Sequence, residues 1–252
     1  MRIPPARRIV LFAVSVVVAA VCVRLGFWQL DRLDERRALN AEIEAGLAEA
    51  PISLTGLLDT AGNGDDLAYR RVVASGTYDV ANELILYGRA LDGSPGDHVL
   101  TPLVTDDGPV VLVDRGWIPA EPNRDAPVGP PAAASDGDVR IEGVLLPTEE
   151  GAAFTGDDEE AILVRAVNVP EIDDRLSGYG LVPSYLLLQT QSPAQPQDLP
   201  VPAAVPEPTE GPHLSYAIQW FSFATIAVVG YVVLARRDRR EDLDGADAGG
   251  GG

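Results

Sequence analysis

His213-Leu214-Ser215-Tyr216-Ala217-Ile218-Gln219-Trp220 opens an apolar run that continues to Ala235, and Arg236, Arg237, Arg239 and Arg240 follow at once. As a helix, residues 214–235 rise about 33 Å at ~1.5 Å per residue, enough to cross a bilayer. A basic cluster directly after an apolar span marks its cytoplasmic flank. His213 then falls at the opposite, external boundary. Pro212 suits a helix start, because its missing N–H would have had no partner in the first turn.

The other end of the chain mirrors this one. Arg2, Arg7 and Arg8 precede an apolar run over residues 9–28, interrupted only by Arg24. A positive start before such a run resembles a signal peptide. Ala19-Ala20-Val21 is poorly placed for cleavage, however, and about 20 residues is a full span. The run is therefore expected to remain as a membrane helix. Arg24, within about a turn of its outer end, can snorkel to the boundary or meet an anionic group there. Arg flanks on the same side of both spans put both termini in the cytoplasm and the middle of the chain outside.

The expected architecture is a membrane-anchored α+β protein. A two-transmembrane-helix hairpin encloses a mostly antiparallel β external domain, a barrel or a sandwich. The expected boundaries are a cytoplasmic N-terminus over 1–8, a transmembrane helix over 9–28 and an external domain over 29–190. A Pro-rich spacer over 191–212, a second transmembrane helix over 213–235 and a cytoplasmic tail over 236–252 complete the chain. Within the external domain, 29–50 is a helical lead-in stopped by Pro51, and 51–190 is mainly β.

Strand-like periodicity covers 69–78, 83–89, 98–104, 109–114, 139–146, 161–167 and 185–190. Thr105-Asp106-Asp107-Gly108 is a hairpin signal. Val110-Val111-Leu112-Val113 is continuously apolar and should be buried on both faces. Arg115-Gly116-Trp117-Ile118-Pro119 is expected to end that strand in a turn. A short helix is expected over 170–176.

Composition excludes several functions. Between Gln29 and Pro212 there are 11 Arg against 33 Asp and Glu, so the external part is strongly anionic and repels phosphate backbones. Nucleic acid is not an expected partner. Cys22 is the single cysteine. No intrachain disulfide is possible, and a thiolate copper or zinc site lacks its soft ligands. The run Asp157-Asp158-Glu159-Glu160 lacks the spacing of a calcium loop and is expected to be solvated. No P-loop, dinucleotide fingerprint, nucleophile elbow or zinc-protease motif occurs, so no catalytic residues are assigned and no enzyme activity is expected. Asp114-Arg115 and Arg70-Arg71 are adjacent on strands, point to opposite faces, and are expected to make separate structural ion pairs. His98, near a hairpin, is expected to be structural.

The candidate site lies at the external end of the last helix. His213, Tyr216, Ala217 and Trp220 share one helical face, with Ala217 a small residue between aromatics that would leave a shallow slot. Ser215, Gln219 and Ser222 form a neighbouring polar face, which could bond a second helix or meet a ligand. Trp28-Gln29 ends the first helix on the same external side as Gln219-Trp220. His213 is an imidazole, the usual nitrogen ligand of heme iron. The other reading of the aromatics is an interfacial belt.

Gly26-Phe27-Trp28-Gln29-Leu30-Asp31-Arg32, Tyr69-Arg70-Arg71-Val72, Gly76-Thr77-Tyr78 and Gly96-Asp97-His98-Val99-Leu100-Thr101-Pro102-Leu103 occur in order. Val113-Asp114-Arg115-Gly116-Trp117-Ile118-Pro119 and His213-Leu214-Ser215-Tyr216-Ala217-Ile218-Gln219-Trp220 follow. This series resembles the Surfeit locus protein 1 family of cytochrome c oxidase assembly proteins. The resemblance runs from the first helix through the second. It implies a heme a chaperone or insertion factor for the catalytic subunit of a heme-copper oxidase, in a bacterial inner membrane. It implies heme a as cofactor, with His213 as the iron ligand and Trp220 beside it. Tyr216, Gln219, Trp28 and Arg24 are the further candidate cofactor-binding residues, Arg24 toward the propionates. Expected partners are the oxidase catalytic subunit, heme a biosynthesis or other assembly factors, and the membrane. The other functional class is a membrane scaffold that holds oxidase subunits or assembly factors without ligating heme. The chain departs from the family pattern at Asp114, where Asn is common, in its Pro-rich spacer and in its acidic Gly-rich tail.

The Arg flanks generate a topology prediction. Protease added outside intact spheroplasts should reach the Pro-rich spacer over 191–212 and leave tags at both termini protected. Recovery of a mature protein beginning near Val21 would overturn the retained-helix reading.

Overall fold

The computed structural model describes residues 4–61, 65–120, 134–154, 163–176 and 178–247. The acidic run at 157–160, most of the loop after Pro119, and Arg2 lie outside the described residues. The chain divides into two compact units, Met1–Ala41 with Pro208–Gly252, and Glu42–Glu207.

The first unit is a pair of long helices. Helix α1 (Pro5–Ala48) runs without a break through the apolar segment and the charged lead-in, and its last turns, from Glu42, belong to the second unit. Helix α4 (His213–Asp247) forms the other half. Both are apolar enough over a long window to cross a membrane. Their outward side chains, including Val14, Val17, Ile226 and Val233, are exposed, as a lipid-facing surface requires.

The second unit is β-rich. In chain order it contains β1 (Ile52–Ser53), α2 (Leu54–Thr60), β2 (Arg71–Tyr78), β3 (Leu84–Leu91), β4 (Ser94–Thr105) and β5 (Val110–Pro119). Then follow β6 (Asp138–Pro147), β7 (Leu163–Val164), α3 (Val169–Arg175) and β8 (Leu181–Ser192). The strand order is β1-β2-β6-β8-β5-β4-β3-β7. A further pairing of Gly76, Thr77 and Tyr78 on β2 with Thr105, Val104 and Leu103 on β4 closes the sheet on itself. Between the two expected forms, the fold is therefore the barrel. Parallel pairings β1–β2, β3–β7 and β5–β8 are added to an otherwise antiparallel sheet.

Core packing follows the period-two alternation. Val111, Val113, Leu186 and Leu188 face one apolar cluster with Val72, Leu103 and Ile141. Val110, Leu112, Tyr185 and Leu187 face a second, which takes in Val169 and Ile172 of α3. The continuously apolar run at 110–113 is buried on both faces, as its pattern predicts. Helix α2 carries its own start signal in the sequence. Ser53 caps it by accepting from the Gly56 N–H at 3.1 Å, and Leu54 and Leu57 turn inward.

Strand β5 does not end at Asp114. On β4, Val99 and Leu100 oppose Gly116 and Asp114, so Arg115 is the extra residue of a bulge. Gly116 has φ +123°, and a side chain there would collide with the Val201 carbonyl. Asp114 Oδ1 accepts from the Gly116 N–H at 3.0 Å and steadies the turn of the backbone. The bulge re-aims the chain and lets pairing resume through Pro119, where a turn had been expected.

Each charged neighbour in these strands has its own partner. Asp114 Oδ2 lies 2.7 Å from His98 Nδ1. Arg115, 0% exposed, donates from Nη1 to Glu83 Oε2 at 3.0 Å and from Nη2 to Gln195 Oε1 at 3.2 Å. Its guanidinium also stands 5.4 Å from the Tyr78 ring centroid. Burial pushes the Glu83 carboxyl above the ordinary carboxylate range, and the Thr101 hydroxyl and the Arg115 charge pull it back. Arg70 pairs with Glu49 and Arg71 with Glu142.

Part of the Pro-rich stretch packs on the barrel. The Trp117 N–H donates to the Val201 carbonyl at 2.7 Å, and the Val201 N–H returns the bond at 2.8 Å. Leu199 packs against Ile85, Val99 and Ile118, and Ala203 and Val205 against the second cluster. Proline lacks a donor, so only the non-proline Val201 makes the paired contact.

Trp117 holds this strap. Its indole lies over Gly96, and Nε1–H donates to the Arg89 carbonyl at 3.3 Å. Trp117→Ala should destabilise the domain by about 3 kcal/mol, the low end for such truncations because the ring is half-buried. It should also open the strap to proteolysis near Val201. Unchanged unfolding and protease resistance in Trp117→Ala would overturn this anchoring role.

Candidate functional site

The site is built on the helix pair. On α4, His213, Ala217, Trp220, Ala224, Ala227 and Tyr231 are buried or half-buried, and residues between them are mostly exposed. On α1 the matching series is Leu11, Ser15, Ala19, Cys22, Gly26, Gln29 and Leu33. Alternating steps of three and four are the seam of two helices packed at a shallow angle. Contacts along the seam give an antiparallel register. Ser15 Oγ donates to the Ala227 carbonyl at 2.8 Å, and Phe12 meets Tyr231 with centroids 5.2 Å apart. Phe27 meets Phe221 edge-on at 5.4 Å, and the Phe221 ring occupies the space a side chain at Gly26 would need. Arg8 pairs with Asp238 at 2.5 Å at one end. At the other, Arg37 grips Glu210 through both carboxylate oxygens at 2.8 and 3.1 Å. That grip holds the Glu210 carboxyl below the usual carboxylate range.

His213 is the first residue of α4, and its Nδ1 lies 2.9 Å from Gln29 Oε1 on α1. A carboxamide oxygen only accepts, so this contact suits the tautomer with the proton on Nδ1, in which the Nε2 lone pair is available to a ligand. This donor chemistry fits an iron ligand.

The expected face divides. Ala217 is 1% exposed, lying between the Gln29–His213 and Gly26–Phe221 contacts, so the expected slot there is filled by the helix seam. Tyr216 is 46% exposed and points off the seam. Trp220 is half-buried, edge-on to Phe223 at 5.9 Å. The polar stripe does not bridge the helices. Ser215 donates to the Pro212 carbonyl at 2.7 Å and Ser222 to the Ile218 carbonyl at 2.8 Å, both within their own chain turn. Gln219 is exposed.

On α1, Trp28 is 43% exposed and the Arg32 guanidinium stands 5.9 Å from its ring centroid. Arg24 is exposed. The Phe27–Phe221 contact places Trp28-Gln29 of α1 near Gln219-Trp220 of α4 along the antiparallel pair. Among the described residues there is no group of three or more His, Cys, Asp or Glu placed to hold a metal ion.

Sequence reasoning missed Gln29, Ser15 and the Phe27–Phe221 contact. A signal was present: Cys22, Gly26, Gln29 and Leu33 are spaced four, three and four, the seam period itself. A polar residue in that series must face the partner helix, and His213 is what it meets.

A family model described as the SURF1 family matches residues 16–225. A SURF1-like protein of Mycobacterium tuberculosis is 32% identical over 227 residues, covering 87% of this chain and 80% of its own length. One from Rickettsia conorii is 28% identical over 232 residues, covering 90% and 92%. One from the choanoflagellate Monosiga brevicollis is 28% identical over 236 residues, covering 87% and 85%. The match spans both helices and the barrel between them.

The seam makes a contrast testable. Ala217→Leu adds three carbons to a closed contact and should destabilise the helix pair by about 1–3 kcal/mol. Ser15→Ala removes one interhelical hydrogen bond, which in a membrane averages about 0.6 kcal/mol. Thermal unfolding in detergent should rank Ala217→Leu as the more damaging. The reverse order would mean that hydrogen bonding, not close packing, holds the pair.

Proposed function

The chain belongs to the SURF1 family, and on that premise we propose that it binds heme a and helps insert it into the catalytic subunit of a heme-copper cytochrome c oxidase. Family membership supports an assembly-factor role in general; the heme a step is the finer reading. Heme a would be the cargo, and a neutral imidazole is an ordinary nitrogen ligand for heme iron. His213 would supply that ligand through Nε2. The observation that carries the reading is the 2.9 Å contact of His213 Nδ1 to Gln29 Oε1, an acceptor that would favour the tautomer an iron ligand needs.

The remaining residues would shape the approach. Tyr216, one turn along α4 from His213, and Trp28, next to Gln29 on α1, are both exposed and offer aromatic surface. Trp220 and Gln219 lie deeper on α4. Arg24 and the Arg32 guanidinium over Trp28 are cations on the α1 side that suit propionates. None of these side chains performs a bond-making step, so the protein would act by holding and releasing rather than by catalysis. Partners in this reading are the oxidase catalytic subunit, the heme a biosynthesis or other assembly factors, and the bilayer.

The Arg clusters support the orientation. Both termini would be cytoplasmic and the barrel external, on a bacterial inner membrane. The spans would be 9–28 and 213–235, with 29–190 external and 191–212 leading back.

A scaffold that holds oxidase subunits without ligating heme is the second reading, favoured by one observation. Ala217 is covered, so α4 has no slot of its own beneath a porphyrin. Heme absorbance decides between the two. The protein purified from cells that make heme a should carry it, and His213→Ala or His213→Met should lower or spectrally shift it at normal protein abundance. Replacing His98, whose Nδ1 is held by Asp114, should leave the spectrum unchanged. An unaltered spectrum in His213→Ala would return the protein to the scaffold class.

A further inference from the structure

We propose that Gln29 is the positioning residue of His213, fixing the imidazole so that Nε2 is the ligating atom, and that Gly211 keeps the approach to that atom clear. The inference rests on the heme a reading above and deepens it. It concerns two residues that the motif on α4 does not contain.

The first argument is the tautomer. Neutral imidazole carries its proton on either nitrogen, and the hydrogen bond made by one nitrogen decides the state of the other. His213 Nδ1 lies 2.9 Å from Gln29 Oε1. An acceptor there stabilises the form with the proton on Nδ1, which leaves Nε2 with a free lone pair. The opposite orientation of the Gln29 amide would place a donor against Nδ1 and leave the proton on Nε2, a form that cannot ligate. The contact therefore acts as a selector, not merely as a tether.

The second argument is orientation. His213 opens α4, with no preceding helical turn to pack against its ring. A hydrogen bond from α1 supplies the missing constraint, between half-buried side chains where water competes weakly. Donation from Nδ1–H also raises the basicity of Nε2, as partners behind metal-bound histidines generally do.

The third argument is access. Gly211 has φ +65°, and a Cβ built there would lie 3.5 Å from both Nε2 and Cδ2 of His213. Any side chain at 211 would be strained by its backbone and would stand in contact with the ligating edge of the ring. Glycine at 211 adds no side chain against that edge. The clasp of Arg37 on Glu210 holds the adjacent residue to α1, so the loop bearing Gly211 is held beside the ring.

The test uses full-length protein in nanodiscs, titrated with heme a extracted from a purified oxidase. Gln29→Leu should weaken heme a binding by about 10–100-fold, the range for loss of a partner behind a metal ligand. Gln29→Glu keeps an acceptor at the same reach. It should retain affinity within a few-fold and move the midpoint potential of the bound heme negative, because a carboxylate accepts more strongly than an amide. Gly211→Ala should weaken binding without changing the ring tautomer.

Nitrogen NMR of labelled histidine in the heme-free protein supplies an independent readout. The Nδ1–H form of His213 should dominate in the wild type and in Gln29→Glu, and become mixed in Gln29→Leu. If His213→Ala lowers heme a binding while Gln29→Leu changes neither affinity nor tautomer, the positioning role is overturned and the heme a reading stands. If His213→Ala leaves binding unchanged, the heme a reading fails and takes the positioning role with it. A dominant Nε2–H form in the wild type also overturns the proposal.

Discussion

The antiparallel pairing of α1 with α4 is the constraint on which the membrane unit depends. In lipid, apolar side chains gain little by meeting one another rather than acyl chains, so association rests on close packing and a few hydrogen bonds. The seam has both. Gly26, Ala217 and Ala224 admit close approach, while Ser15 and Gln29 each make a bond to the facing helix. Arg8 with Asp238, and Arg37 with Glu210, close the two ends. A register shift of one residue would separate all of these pairs at once. The register also decides which side chain of α1 meets His213, and hence what chemistry His213 can perform.

The barrel obeys a different constraint. Strand β5 is buried on both faces, so charge on it must be matched. Arg115 is matched by Glu83, with Thr101 sharing the same carboxylate oxygen. Breaking such a buried pair from one side costs about 3–5 kcal/mol, because the survivor is left uncompensated. His98 and Asp114 form a second pair beside the bulge. These groups look like chemistry in the sequence, yet each is occupied with holding β4, β5 and the strap in place. The excess of acidic over basic residues between Gln29 and Pro212 disfavours anionic partners.

Several elements were legible because local pattern and tertiary environment agree. The run at Val110 to Val113 could only be a strand buried on both faces, and the hairpin after Thr105 carries its own turn residues. Separate partners for Asp114 and Arg115 followed from strand alternation alone. The end of β5 was not legible. Arg115-Gly116 carries a turn signal, and a bulge uses the same residues as a turn. Only the return of pairing opposite Val99 distinguishes the two. The Pro-rich stretch misled for a related reason. Proline density reports a lack of donors, and Val201 needs only its own N–H and carbonyl to dock on Trp117.

The sequence by itself determined the two apolar spans, their Arg flanks, the β character between them and His213 at the start of the second span. These depend on composition and period, which are local. The tertiary structure alone decided that the sheet closes through Gly76 to Tyr78 on β2, that Ala217 faces α1, and that Ser215 and Ser222 bond back to their own turns. It also decided that Gln29, 184 residues away in the chain, is the group that meets His213. Contacts of that separation depend on how two helices slide and rotate against each other. Helical period narrows that choice to a face, and only packing selects the partner.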